Sequence, residues 1–483
     1  MSTKNKVKTL AYLKKPVILS QTAVIVDSLK LFHRLIAIAD REVSLQESLT
    51  FELTQFPLSL FDHKQCMRKP NKSILGKHLS DAIELADLNT IRIIDGGWLL
   101  YQCSFTPGET FGSIAHKYVT YVKNFQKDVS IVFDGYQSSP KDHDHKRRAT
   151  SFSSNIIISH NTPCTISKAR LLANSHNKSQ LILLLSTVFT SNGIEVLIAD
   201  DDADTLIVKT AIRHGQIKDV EVRAEDTDVL CLFIHHCLTE KNKVFITTSD
   251  GTHSINKIRE NLTDTELKHL LISHSFSGCD TVSSIYGFGK VKVFKIFSRN
   301  DAPEDAFQIL NDLQACKENI CRAGEILFQY IYNQVGISLN QQRFEKYNKL
   351  IANGKFKPEK LPPTPGAANQ HALRAYLQYR DWLLLESQSL NPTDYGWTFT
   401  DSFEPVGFIQ PIAPESILQF ISCNCQVDST EPSCSTNRCS CQKYGMRCIP
   451  ACGNCHGLNC DNSASNLEDG DSSHDNEPDQ EDI

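Results

Sequence analysis

Between residues 91 and 297, short apolar runs alternate with longer stretches whose apolar positions recur at helical spacing. The first pattern predicts strands at 91–94, 129–133, 194–199, 220–224 and 244–248. The second predicts helices at 111–124, 178–191, 203–214 and 229–237, and a further helical pair at 266–275 and 290–297 brackets a glycine-containing turn. This alternation predicts an α/β domain with a mostly parallel sheet flanked by helices, because parallel neighbours need a crossover that a helix supplies. Residues 302–350 read as all-helical, 357–366 as a Pro-rich linker and 370–387 as one amphipathic helix. Residues 1–85 carry a helical stretch at 22–38 and a basic segment at 64–77. The boundaries implied are an N-terminal region of unknown fold at 1–88, the α/β domain at 89–300 and a helical extension at 301–352. A linker at 353–369, a helix with an extended connection at 370–420, a cysteine-rich module at 421–462 and an acidic, disordered tail at 463–483 follow.

Composition changes this picture in two places. The net charge of −6 conceals an asymmetry. Residues 461–483 hold nine acids and no Lys or Arg, and without them the body carries 50 basic against 47 acidic residues. The overall charge is therefore compatible with a nucleic-acid partner. The longest apolar run, 229–234, is far too short to span a bilayer, so no membrane partner is expected. The first twenty residues have no apolar core of the kind a secretory leader carries. An intracellular, reducing compartment follows as the expectation, and the nucleus is favoured within it.

Each predicted strand of the central set is followed by acids. Asp95 follows the first and Asp134 the second. The run 200–204, with Asp202 and Asp204, follows the third, and 225–228, with Asp226 and Asp228, follows the fourth. A lone Asp after a strand is ordinarily a turn former or a helix N-cap, and Asp202 and Asp226 each precede a helix. Four strand ends on one sheet edge, joined by Asp280 after a helix, instead place several carboxylates where open α/β sheets hold their sites. Such a group repels itself unless cations are bound, and hard oxygen donors suit Mg²⁺ or Mn²⁺. Two such ions would serve phosphodiester hydrolysis.

Five motifs in order resemble the flap endonuclease superfamily, whose core is a PIN-like α/β nuclease domain. They are IIDGGWLLYQ, IVFDG, GIEVLIADDDADTLIV, VRAEDTDVLCL and SFSGCDTVSSIYGFGKVKVFKI, and they span about residues 90–297. The resemblance carries over Asp95, Asp134, Asp202, Asp204, Asp226, Asp228 and Asp280 as ligands of two Mg²⁺ (or Mn²⁺) ions. Asp202 and Asp204 stand where the family generally has Glu. The resemblance also implies that Lys141 and Arg148 steady the scissile phosphate, with Arg147 as an alternative for the second role. It implies further that the turn at Gly287, Gly289 and Lys290, with Lys292 and Lys295 beyond it, grips duplex backbone. A 5′-phosphate and a 3′-hydroxyl are the products it implies. His143 and His145 read as exposed loop residues rather than zinc ligands, and Trp98 as a core residue.

Nine of the 17 cysteines lie between 423 and 460, spaced C-x-C-x8-C-x4-C-x-C-x6-C-x3-C-x2-C-x4-C. Clustered thiols in a reducing compartment bind zinc. Cys423, Cys425, Cys434, Cys439, Cys441, Cys448, Cys452, Cys455 and Cys460 would hold three Zn²⁺ if some sulfurs bridge. The spacing resembles the tesmin-type CXC domain, whose modules often bind DNA. Arg438, Lys443 and Arg447 would then meet phosphate, with Tyr444 as a planar contact.

The function expected is a structure-selective, metal-dependent nuclease, with DNA favoured over RNA. A catalytically inactive nucleic-acid-binding or scaffold protein, derived from a mobile element, is the alternative from another class. A small-nucleotide hydrolase is a third reading, and the turn at 287–295 counts against it.

Overall fold

The computed structural model describes residues 17–19, 22–24, 28–42, 44–79, 82–83, 90–106, 108–135, 140–141, 154–237, 243–333, 336–386, 390–418, 422–425, 434–449, 452–457 and 460–463. The expectations for His143, His145, Arg147, Arg148 and the acidic tail lie outside these residues. Internal contacts divide the chain into two compact units. The larger contains Phe56–Ile409, and the other joins Lys14–Gln55 to Gln410–Ile483. The N-terminal stretch therefore contributes to both units.

The larger unit is built on a seven-stranded sheet. Its strands are β1 (Ala82–Ile83), β2 (Ile91–Asp95), β3 (Val129–Phe133), β4 (Glu195–Ile198), β5 (Val220–Arg223), β6 (Val244–Thr248) and β7 (Gly251–Ser254), in the order β1-β7-β6-β5-β2-β3-β4. β2 pairs in parallel with β3 and β5, and β4 and β6 extend the parallel set on either side. β7 and β1 add an antiparallel edge that the apolar pattern did not announce, since β1 is two residues long and β7 is the half-polar GTHS.

Strand periodicity decides the two faces. Ile93 and Val132 point into one core with Val220, Val222 and Ile246, while Ile94, Ile131 and Phe133 point into the other. On the first face lie α1 (Ala203–Gly215), α2 (Thr227–His236) and α3 (Asp264–Phe276), whose buried apolar residues belong to that core. On the second lie Phe111–Lys123 and Ser175–Ser191. The local starts are set by chemistry legible in sequence: Thr110 accepts from Ser113 N, and Thr263 and Glu266 close a capping box at the head of α3. Trp98 packs against the second core, as its apolar surroundings predicted. Residues 302–350 are helical, at Glu304–Asn311, Lys317–Ile331 and Leu339–Ala352, and α4 (Pro365–Leu384) begins on a Thr364 cap with Pro at its first position. Among the described residues no helix is long and apolar enough to cross a membrane.

The chain runs from β2 to β3 and β4 on one side, then returns to β5 and β6 on the other. The reversal falls between β2 and β5, where the carboxyl ends of the strands leave a crevice. Gly135 tightens this edge. Its amide bonds to Asp201 O at 2.6 Å, and a Cβ there would lie 2.1 Å from Ala199 O, so only glycine lets the β3 and β4 exits approach so closely.

In the other unit, helix Ser28–Glu42 buries the stripe Leu31, Phe32, Leu35, Ile38 and Ala39. Leu53 N bonds to Ile412 O at 2.9 Å, tying the N-terminal stretch to residues beyond 410.

Deep in the larger unit, His371 of α4 is fully buried and hydrogen-bonds through Nε2 to Phe276 O at 2.9 Å. Burial, with Arg374 nearby, pushes its pKa down to about 3. The folded protein keeps this imidazole neutral, while the unfolded chain protonates it below about pH 6.5. Its contribution is thus present above pH 6.5 and lost as pH falls towards 3, by about 1.4 kcal/mol at about pH 5.5. Thermal melts should show a smaller loss between pH 7.5 and 5.5 in His371→Gln than in the unmodified protein.

Candidate active site

The sheet edge gathers the acids that the sequence singled out. Asp95 is the last residue of β2, and its Oδ1 accepts from Gly97 N at 2.8 Å. Asp134 follows β3 and accepts from Ala203 N at 3.3 Å. Asp226 caps α2, accepting from Asp228 N at 2.9 Å. Asp202 stands at the head of α1 but makes no side-chain cap bond, so capping does not account for it. Asp204, Asp226 and Asp228 each bring a carboxylate oxygen within 4.8 Å of the others.

Lysines interleave these acids. Lys141 bonds to Asp202 and lies 3.7 Å from Asp204. Lys178, from helix Ser175–Ser191, reaches Asp134 at 3.3 Å. Lys72, at the start of helix Lys72–Leu79, lies 2.6 Å from Asp228, 3.1 Å from Asp280 and 3.7 Å from Asp226. Among the described residues, six of the seven carboxyl groups lie on these three ammonium groups, and Asp95 stands by Asp134.

The excess of acid shows in the proton affinities. Burial and the facing Asp134 push Asp95 up to about 7. Burial and Asp228 raise Asp226 to about 6, and burial with Asp202 holds Asp204 well above the usual carboxylate range. Asp228 goes the other way: burial opposes its charge, but Lys72 and His274 outweigh it. Burial likewise opposes the charges of Lys72 and Lys141, and the surrounding carboxylates override it.

Behind Asp228 lies a buried chain of donors. His274 of α3 donates from Nε2 to Asp228 Oδ1 at 2.6 Å. Its Nδ1 accepts from Lys290 Nζ at 2.9 Å, and Lys290 also donates to His274 O at 2.8 Å. Trp382 stacks on the imidazole with ring centroids 5.2 Å apart. Burial and Lys290 push His274 down to about 4, which fits a neutral ring donating at one nitrogen and accepting at the other. Lys290 was expected on the phosphate-gripping turn. The structure turns it inward, because its helix presents that face to α3 and its ammonium finds a carbonyl and an imidazole there. Gly287 takes a φ of +77°, Gly289 caps the helix, and Lys292 and Lys295 are exposed.

Hard oxygen donors from several strand ends, with more acid than base, form a set that fits a divalent cation such as Mg²⁺. Sequence reasoning missed Lys72, Lys178 and His274. Each lies within an ordinary helical stretch, and only long-range packing brings it to the acids.

The cysteine cluster is a second metal-type site. Its thiols form three groups of four: Cys423, Cys434, Cys439 and Cys448; Cys423, Cys441, Cys448 and Cys452; and Cys434, Cys448, Cys455 and Cys460. Cys448 belongs to all three groups, and Cys425 packs against the cluster without joining one. Sulfur separations of 3.6 to 3.9 Å agree with the edge of about 3.8 Å in a tetrahedron of zinc–sulfur bonds. Arg34 of the N-terminal helix donates from Nη2 to Cys441 Sγ at 3.0 Å and from Nη1 to Arg447 O. Arg438, Lys443 and Arg447 are exposed, whereas Tyr444 is buried and unavailable as a planar contact.

No family model matches the sequence, and no curated protein matches it. Several solved structures resemble the fold at a distance. The catalytic core of Rad2 in complex with DNA substrate is 12% identical, over 59% of this chain and 80% of that chain, with a TM-score of 0.33. The bacteriophage T5 flap endonuclease, in a pseudo-enzyme–product complex with DNA and metal ions, is 14% identical over 61% and 98%, with a TM-score of 0.32. The Holliday junction-resolving enzyme GEN1, with product DNA and Mg²⁺, is 14% identical over 66% and 63%, with a TM-score of 0.30.

Replacing His274 by Ala would leave Asp228 and Lys290 buried without their shared partner. A loss of about 3 kcal/mol is expected in denaturant unfolding.

Proposed function

We propose that the larger unit is a metal-dependent, structure-selective nuclease acting on DNA. The observation that carries this reading is the convergence of Asp95, Asp134, Asp202, Asp204, Asp226, Asp228 and Asp280 at the switch point of the sheet, with Asp204, Asp226 and Asp228 within reach of one cation. These seven would hold two Mg²⁺ or Mn²⁺ ions. Bound there, such ions would supply Lewis-acid stabilisation of the phosphodiester and an activated water. Lys141, which pairs with Asp202 and Asp204, would set its charge against the developing negative charge on a phosphoryl oxygen. Lys178 holds Asp134, and His274 fixes the oxygen of Asp228 that it bonds. Arg148, with Arg147 as its alternative, would complete the phosphate clamp. Gly287 and Gly289, with the exposed Lys292 and Lys295, would receive duplex backbone.

The cysteine cluster is read as a three-zinc module of CXC type, with Cys448 as a bridging thiolate. Arg438, Lys443 and Arg447 lie exposed on its surface, where they would contact DNA phosphates.

Incubation with single-stranded, flapped and duplex DNA and RNA should give Mg²⁺-dependent cleavage that EDTA abolishes. An Asp134→Ala/Asp228→Ala variant should lose at least about 10³-fold in rate. Absence of cleavage with binding retained would favour the inactive, nucleic-acid-binding reading. Native mass spectrometry should show the added mass of three zinc ions, released by acid as the thiolates protonate. A single ion or none would overturn the three-zinc assignment.

A further inference from the structure

The segment 56–79 precedes every motif used above, yet it is fastened to the site. Tyr286 N bonds to Ser59 O at 2.9 Å and Ser284 N to Arg68 O at 2.8 Å. The Arg68 guanidinium donates twice to Leu58 O and lies 4.8 Å from the centre of the Tyr286 ring. Thr227 Oγ1, between Asp226 and Asp228, donates to Lys72 O at 3.2 Å. The backbone of Lys72 is thus held by the same helix that carries two of the acids. Its side chain is 18% exposed, and its ammonium contacts three carboxylates.

We infer that Lys72 is a further catalytic residue, a displaceable counter-ion that shares Asp226, Asp228 and Asp280 with the divalent cation and passes its charge to a substrate phosphate when the metal binds. The inference rests on the metal-dependent reading given above. Two of the three carboxylates on Lys72 also belong to the group of three whose oxygens lie within 4.8 Å of one another. A doubly charged ion on those oxygens repels an ammonium held at the same place. The helix start fixes the Lys72 backbone, but four methylenes leave its ammonium free to swing by several ångströms. It then lies beside the acids, where a scissile phosphate must sit to meet the metal. Lys72 moves no proton in this scheme. Its part is to hold charge, first on the acids and then on the phosphate.

The roles have opposite signs, which makes them separable. In the full chain stripped with EDTA, Lys72→Met should bind Mn²⁺ about tenfold tighter in a paramagnetic-resonance titration, since the competing charge is gone. At saturating Mn²⁺ the same variant should turn over flapped DNA about 10²-fold more slowly, since a phosphate contact is gone. Lys72→Arg, which keeps the charge, should hold Mn²⁺ affinity within about threefold of the unmodified protein and recover part of the rate. Thermal melts establish folding, and where Lys72→Met fails to fold, Lys72→Gln takes its place under the same criteria. Unchanged or weaker Mn²⁺ binding in a folded variant overturns the inference, and so does unchanged turnover at saturating metal. An unmodified protein that binds Mn²⁺ but cleaves nothing overturns the nuclease reading instead, and with it the phosphate role of Lys72. Tighter Mn²⁺ binding by Lys72→Met in that case still supports the counter-ion role.

Discussion

Mutual repulsion of carboxylates at one edge of the sheet is the constraint on which the rest of the larger unit turns. Two like charges about 4 Å apart cost roughly 4 kcal/mol at the effective dielectric of a protein surface. Seven acids cannot all be ionised side by side without compensation. The structure answers in three ways. Lys72, Lys141 and Lys178 stand among them. Asp95, Asp204 and Asp226 hold their protons far above the ordinary carboxylate range. Asp228 is locked in its charged form by Lys72 and by the His274–Lys290 chain behind it. Such a site is costly to keep unless it binds cations, which is why its chemistry is sought there.

The two metal-type sites divide by donor hardness. The sheet edge gathers oxygen donors spread over more than 180 residues of sequence between Asp95 and Asp280. The cysteine cluster offers sulfur from a stretch of 38 residues, from Cys423 to Cys460. Soft thiolates at short spacing build a closed, structural kind of site. Carboxylates delivered by separate strands build an open one, where charge can be exchanged with a substrate. The N-terminal helix takes part in the first kind, since Arg34 reaches Cys441 from 407 positions away in sequence. A donor to a ligating sulfur is the sort of outer contact that fixes a ligand's orientation.

What the sequence determined was the local and the periodic. The five parallel strands, the helices between them and the run of cysteines were legible because a strand repeats every two residues, a helix every 3.6, and ligand spacing is short. Most of the acids were legible for a related reason: they follow a strand within a few residues, so naming the strand names the site, while Asp280 follows a helix. The roles of Gly287 and Gly289 in a tight turn followed from residue type alone.

Tertiary structure decided the rest. β1 and β7 were invisible because a two-residue strand and a half-polar one carry no periodic signal, and pairing alone makes them strands. A lysine just after a glycine turn is expected at the surface, but helix packing turns Lys290 inwards to His274. Lys72, Lys178 and His274 entered the site through contacts between residues 44 to 156 positions apart, for which one sequence holds no record. Carboxylates that follow strands are placed by local chain direction, whereas the groups that balance their charge come from wherever the fold brings a side chain near. The sequence therefore displayed the acids and, through the resemblance, Lys141, and only the folded chain displayed Lys72, Lys178 and His274 beside them.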